Sequence, residues 1–299
     1  MSNFILKFLF RTFSCLFLAC CVFVTFVPLK DMTTLIKEKK PLWMIKMSQV
    51  WGGSVSEKDH TLGNRTTIQW ASVTAEDPDI ISFLVKKGAN VNESSASCQA
   101  TPLLFALEQN KNPKIAQRLL ELGADANQRI EDGRTLFHVA VVHTQSPELL
   151  DSFKEHGADI FATDFQNKAD ALHWAADHNN NLEIIKKLMS FGLRIESLDG
   201  VNRTPLIKAA SVNQNPEILK FMLENGAFID AQDNNWETPL IIGCRRNTNP
   251  DVLTVLLDYN ANVHLFNNHN RRAIDYAREN PALRGSAFLK RLETLSQKK

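Results

Sequence analysis

One short unit recurs along this chain every 34 or 35 residues, and that period restricts the fold more than any other feature. The unit is clearest between Asp199 and Asp230. Thr204-Pro205 reads as a helix start, with Thr204 as N-cap and Pro205 at the first helical position, where a missing N–H costs nothing. Asn215-Pro216-Glu217 starts a second helix in the same way. Leu219, Met222 and Leu223 recur at helical spacing and form its expected buried face, and Gly226 supplies the left-handed residue that closes it. Two such short helices cannot bury their apolar faces alone, so the unit has to be stacked on copies of itself.

The copies are in register. The threonine position falls at Thr66, Thr101, Thr135, Asp170, Thr204, Thr238 and Arg272, in steps of 35, 34, 35, 34, 34 and 34. The glycine position falls at Gly88, Gly123, Gly157, Gly192, Gly226 and Asn260. Thr204-Pro205-Leu206-Ile207-Lys208-Ala209-Ala210 with Asn225-Gly226-Ala227 resembles the ankyrin repeat, with its Thr-Pro-Leu-His-x-Ala helix start and its Gly-Ala-Asp loop. The resemblance covers roughly Thr61 to Leu295, with the first and last units degenerate. The usual period is about 33. The extra residue is assigned to the turn between the helices, because the step from the first alanine to the second proline is constant: Ala71 to Pro78, Ala106 to Pro113, Ala140 to Pro147 and Ala209 to Pro216.

Composition narrows function by exclusion. A net charge of +1 without basic clusters argues against a nucleic-acid partner. Three of the five cysteines, Cys15, Cys20 and Cys21, lie in the apolar N-terminus. Cys98 and Cys244 are four units apart, too far to bridge in a stacked array, so no disulfide framework is expected.

The uncharged run from Thr12 to Leu29, between Arg11 and Lys30, is 18 residues long. As a helix it would span about 27 Å, near the thickness of a hydrocarbon core. A cleaved signal peptide is the rival reading, but Val24-Thr25-Phe26-Val27-Pro28 offers no small-x-small site. Phe17-Leu18-Ala19-Cys20 only faintly matches a lipoprotein site. An uncleaved single-pass anchor is therefore expected over residues 1–30. Its orientation stays open: lysines after the span place the C-terminal domain in the cytosol, whereas a short basic N-terminus also begins signal anchors that export it. Three matches to the glycosylation pattern, at Asn64, Asn92 and Asn202, are read as chance.

Residues 31–60 form a connector. After Pro41, residues Leu42, Trp43, Met44, Met47, Val50 and Trp51 fall near one helical face. That face either lies on the membrane interface, with Trp43 and Trp51 as anchors, or caps the open end of the solenoid.

Residues 61–299, the repeat domain, hold little that reads as chemistry. His138 and His173 share one repeat position, where the resemblance implies a hydrogen bond to neighbouring loop backbone. His143 and His178 follow five residues later and could stack. No metal-ligand spacing, phosphate loop or nucleophile elbow occurs, so neither catalysis nor a cofactor or metal is expected.

Two rows remain. In the resembled family the residue before the threonine points into the concave face, and here it is Arg65, Ala100, Arg134, Ala169, Arg203, Glu237 and Arg271. The fourth residue after the threonine lies on the inner helix, and is Trp70, Phe105, Val139, Trp174, Lys208, Ile242 and Tyr276. The first row makes a spaced basic stripe and the second an apolar, partly aromatic floor. Arg65, Trp70, Phe105, Arg134, Trp174, Arg203, Trp236 and Arg271 are the expected protein-contacting residues, since Arg and Trp most often anchor interfaces. The expectation is an all-α solenoid with an N-terminal membrane helix, a non-enzymatic scaffold that binds an extended or helical segment carrying acidic and apolar residues. An exported effector binding a host or envelope protein, or a regulatory subunit of an enzyme, are the alternatives.

Overall fold

The computed structural model describes residues 32–40, 42, 44, 45, 58, 59, 65–94 and 100–297. Seven inner helices stack side by side: α2 (Thr67–Thr74), α4 (Pro102–Gln109), α6 (Leu136–His143), α8 (Ala171–His178), α10 (Pro205–Val212), α12 (Pro239–Arg246) and α14 (Ala273–Glu279). Outer helices alternate with them: α3 (Asp79–Lys86), α5 (Pro113–Glu121), α7 (Pro147–Glu155), α9 (Leu182–Ser190), α11 (Pro216–Glu224) and α13 (Pro250–Asp258). A final α15 (Ala287–Gln297) closes the row after a 3₁₀ turn at Pro281–Leu283.

Every residue of the threonine register is an N-cap, but they cap by different means. Thr204 and Thr238 accept the amides of Ile207 and Ile241 at 3.3 and 3.2 Å. Asp170 accepts those of Leu172 and His173 at 3.0 and 3.1 Å. Arg272 has no acceptor to offer, so the capping carboxylate is Asp275, three residues on, which takes the Arg272 amide at 2.8 Å. The glycine register is left-handed throughout, from φ 77° at Gly157 to 97° at Gly88 and Gly192, and Asn260 reaches 64° in the same role.

One continuous apolar core runs along the array. In α11 the buried face is Ile218, Leu219 and Met222. Leu223 only packs against its flank, because the outer helices have solvent on one side. At the N-terminal end a short α1 (Met32–Lys37) lies against α2, burying Met32, Leu35 and Ile36. The Thr33 and Thr67 hydroxyls, 34 residues apart, are 3.0 Å from each other, and the Thr74 hydroxyl donates to the Ile36 carbonyl at 3.0 Å. This part of the connector packs as one more helix of the stack. Leu42 rests on the core and Ile45 is buried in it, while Trp43, Met47, Val50 and Trp51 lie outside the described residues. The array is not purely helical: Lys58–Asp59 (β1) pairs antiparallel with Arg65–Thr66 (β2) in the first hairpin.

Among the described residues no helix is long and apolar enough to cross a membrane. The run from Thr12 to Leu29, like Cys15, Cys20, Cys21 and Cys98, lies outside them. Cys244 is buried, and burial pushes its thiol pKa far up, so it is a core side chain and not a nucleophile.

Candidate interaction surface

Four of the described hairpins between units are built around one buried acid or amide. Asp233 Oδ1 accepts the amides of Asn235 and Glu237 at 2.8 and 3.0 Å. Asp199 does the same for Val201 and Arg203 at 3.0 and 2.8 Å, and Asn267 for His269 and Arg271 at 3.1 and 3.0 Å. In the longer loop before the fourth unit, Asp164 takes the Asn167 amide with one oxygen and the Trp174 indole N–H with the other, at 2.6 and 2.8 Å. These side chains fold the loop back on itself, and backbone bonds join neighbouring tips, from Asn234 to the Val201 carbonyl and from Asn268 to that of Asn235, both at 3.0 Å. From the fourth unit to the seventh, the tips therefore form one connected ridge along the edge of the array. Sequence reasoning missed this device, whose signal is the Asp or Asn five residues before the cap at 199, 233 and 267.

The expected arginine stripe and aromatic floor are one feature, not two. Arg65 lies 5.0 Å from the Trp70 ring centre and 4.2 Å from that of Phe105 in the next unit. Arg134 covers Trp174, also in the next unit, at 4.5 Å, and Arg271 covers Tyr276 at 4.0 Å. Each is a cation–π contact. Phe105, at 4 % exposure, and Val139 and Ile242 are buried, so the open part of the floor is Trp70 and Trp174. His178 stacks on Trp174 with ring centres 5.2 Å apart, and it also lies close enough to His143 to act on its charge.

Three of the four arginines of the stripe are also charge-compensated, which the sequence reading did not anticipate. Arg134 pairs with Asp132 at 2.7 Å, Arg203 with buried Asp233 at 3.1 Å, and Arg271 with Glu279 at 2.7 Å. Lys208 sits 3.7 Å from Asp177 and 3.9 Å from Asp199. In the sixth unit the polarity is reversed, with buried Glu237 held by Arg245 at 2.7 Å. Intramolecular partners thus screen the positive field that would steer an acidic ligand.

Large exposed apolar side chains gather on the loop edge. Phe165, Leu198, Val201, Trp236 and Phe266 stand on successive hairpins, with Phe165 70 % and Trp236 60 % exposed. Of the expected contact residues, Trp236 is the most exposed, and it carries φ 58°. The equivalent tip residues are Gly133, Lys168, Asn202 and Asn270, all at positive φ. Glycine and asparagine tolerate that conformation, whereas a bulky indole is strained in it. Except for Trp236, the ridge residues escaped sequence reasoning; large apolar side chains in otherwise polar loop columns would have found them.

The two repeat histidines serve structure. His173 Nε2 meets the Arg203 carbonyl at 2.9 Å and Nδ1 the Asp170 carboxylate at 2.8 Å, the loop contact expected for this position. His138 Nδ1 accepts the Thr135 amide at 3.1 Å and lies 2.8 Å from its hydroxyl, and the ring also meets the Ala169 backbone of the neighbouring loop. Burial lowers the His138 pKa to about 4, so the ring is neutral at physiological pH. No cluster of three or more metal-ligating side chains occurs among the described residues.

A family model described as ankyrin repeats (3 copies) matches residues 68–164 and 172–267, more than half of the chain. Over 139 residues the chain is 32% identical to the ankyrin repeat protein FPV031 of fowlpox virus (strain NVSL), a match covering 44% of this chain and 40% of that protein. Over 97 residues it is 35% identical to ankyrin repeat and SOCS box protein 6 of Homo sapiens, covering 31% and 23% respectively. The crystal structure of the human ASB11 ankyrin repeat domain is similar with a TM-score of 0.66 and 25% identity, over 79% of this chain and 100% of that one. The chain spans less than half the length of each of the two curated relatives.

Proposed function

Since the chain belongs to the ankyrin repeat family, whose domains are generally protein–protein interaction modules, we propose that it is a non-enzymatic scaffold that grips a protein partner along its hairpin ridge and the adjoining concave face. The observation that carries this reading is Trp236, which keeps a large apolar side chain in solvent on a backbone conformation that disfavours it. Strain of this kind persists where function requires it. Phe165, Leu198, Val201 and Phe266 extend the same apolar edge, and Trp70 and Trp174 continue it into the concave face with Arg65, Arg134, Arg203 and Arg271 around them. Phe105 backs Arg65 from beneath. The partner in this reading is an extended segment that buries apolar side chains on the ridge, and its acidic residues act only where they displace Asp132, Asp233 or Glu279 from an arginine. Residues 12–29 tether the scaffold to a membrane, a proposal resting on their length and lack of charge.

Affinity capture with the full chain, compared with Trp236→Asp and Phe266→Ser variants that retain the wild-type circular dichroism, tests the surface. Proteins recovered by the wild type and lost with both variants support it. Recovery of the same set by all three would show that the ridge is not the contact. The tether is tested separately by carbonate extraction, since release of the intact chain by carbonate or salt would exclude a spanning segment.

A further inference from the structure

Along the edge opposite the hairpins, where inner and outer helices join, side-chain amides tie each unit to the one before. Asn110 donates its Nδ2 protons to the carbonyls of Ser72 and Ala75 at 3.0 and 2.9 Å. Asn179 does so to Val141 and Thr144, Asn213 to Ala176 and Asn179, Asn247 to Ala210 and Asn213, and Asn280 to Cys244 and Asn247, all within 2.8–3.0 Å. A second amide two residues later adds one more bond: Asn112 to the Glu76 carbonyl, Asn181 to Gln145, Asn215 to Asn180 and Asn249 to Gln214, at 2.7–3.0 Å.

The third unit breaks both rows at once, with Thr144 and Ser146 in place of the two asparagines. Their hydroxyls turn to their own loop: Thr144 Oγ1 takes the Ser146 amide at 3.0 Å, and Ser146 Oγ donates to Glu148 at 2.6 Å. By the register of the other units, the carbonyls left without an amide are those of Leu107, Asn110 and Lys111, at the C-terminal end of α4. A cleft of about 500 Å³ opens there, with walls that include Leu107, Asn110, Pro113, Ala116, Thr144 and Leu149.

We propose that this cleft is a recognition pocket for a primary carboxamide, the side chain of an asparagine or glutamine on a partner protein. The argument is the one the chain itself makes in five other units. Two carbonyls that elsewhere share one NH₂ group belong here to Leu107 and Asn110, which line the cleft, and no side-chain amide of the following unit is placed to meet them; a carbonyl without a donor is costly wherever water is excluded from it. A carboxylate would meet only oxygens at that end of the cleft. A cation is disfavoured by Lys111, which lines the same space. Burial also pushes the His143 pKa down, so that ring adds no second positive charge beside Lys111. The pocket lies at the far end of the inner helices from the hairpin ridge and does not depend on the ridge's proposed role.

The test is an amide-resonance titration of the ¹⁵N-labelled full chain with propionamide, with butanone, which has the same shape and no N–H, and with propionate. Saturable shifts confined to residues 107–113 and 143–147, given by propionamide alone, are expected. The Thr144→Asn/Ser146→Asn variant, which restores both rows, should lose those shifts and melt at a higher temperature than the wild type. Shifts that butanone or propionate reproduce, or that survive in the variant, would overturn the proposal. A variant with raised melting temperature and a wild type blind to propionamide would show a hydrated gap only, and would overturn it too. If the double variant fails to fold, the single Thr144→Asn change carries the same comparison.

Discussion

The Arg134 guanidinium lies 4.5 Å from the centre of the Trp174 ring in the following repeat, and the same side chain pairs with Asp132 at 2.7 Å. One residue thus joins a hairpin tip to the next inner helix while its charge is met from within the chain.

It follows that Arg134 acts in folding as well as in any contact. A double-mutant cycle of Arg134→Ala and Trp174→Ala in urea unfolding should give a coupling of about 0.5–2 kcal/mol, the range of a partly desolvated cation–π pair. Arg134→Glu, which from the sequence alone looks like a neutral surface change, should lower stability by about 1 kcal/mol, because it sets a carboxylate beside Asp132. Strict additivity in the cycle would mean that the stack contributes nothing.

Trp236→Asn should move stability the other way. Asparagine occupies the equivalent left-handed position at Asn202 and Asn270, and relief of the strain should add about 1 kcal/mol. If partner binding falls as stability rises, the indole is retained for contact. A loss of stability would show that it packs usefully despite its exposure.

Gly243→Ala should destabilise, although alanine is favoured over glycine within helices by about 1 kcal/mol. An added Cβ would come within 2.4 Å of Leu253 Cδ2 and 3.0 Å of the Ala210 carbonyl oxygen. Leu253 can shift, but the backbone of the neighbouring inner helix cannot. A melting temperature below the wild type is the expected result.

Asn213→Ala should cost about 2–4 kcal/mol, since it leaves two buried carbonyls and the Asn215 amide without partners. Thr204→Val, which removes a single cap bond, should cost about 1 kcal/mol. The ordering of the two, read from urea midpoints, is the test, and a larger loss from Thr204→Val would reverse it.

Stability should also fall on mild acidification through His138. Its folded pKa of about 4 lies below the unfolded value of 6.5, so below pH 6.5 the unfolded chain binds the extra proton. The contribution is complete above pH 6.5 and is lost as pH falls towards 4, at up to about 1.4 kcal/mol for each pH unit. His138→Gln should flatten that part of the profile. An unchanged slope would assign the acid sensitivity elsewhere.

The repeat, its register and the way each helix begins and ends follow from chemistry that is local along the chain. Caps and left-handed turns are satisfied within three or four residues, so Thr204, Asp170 and Gly226 could be placed from local chemistry, and even Arg272 and Asn260 kept the register where the residue type changed. What the side chains of the two rows do was decided only by stacking. Arg65 reaches Phe105 and Arg203 reaches Asp233 across the boundary between units, 30 to 40 residues away in sequence. A row read one unit at a time therefore shows charges but not their partners. The exposure of Trp236 and the cleft beside Thr144 are tertiary for the same reason. The first depends on what the neighbouring tips leave uncovered, and the second on three carbonyls that belong to the unit before.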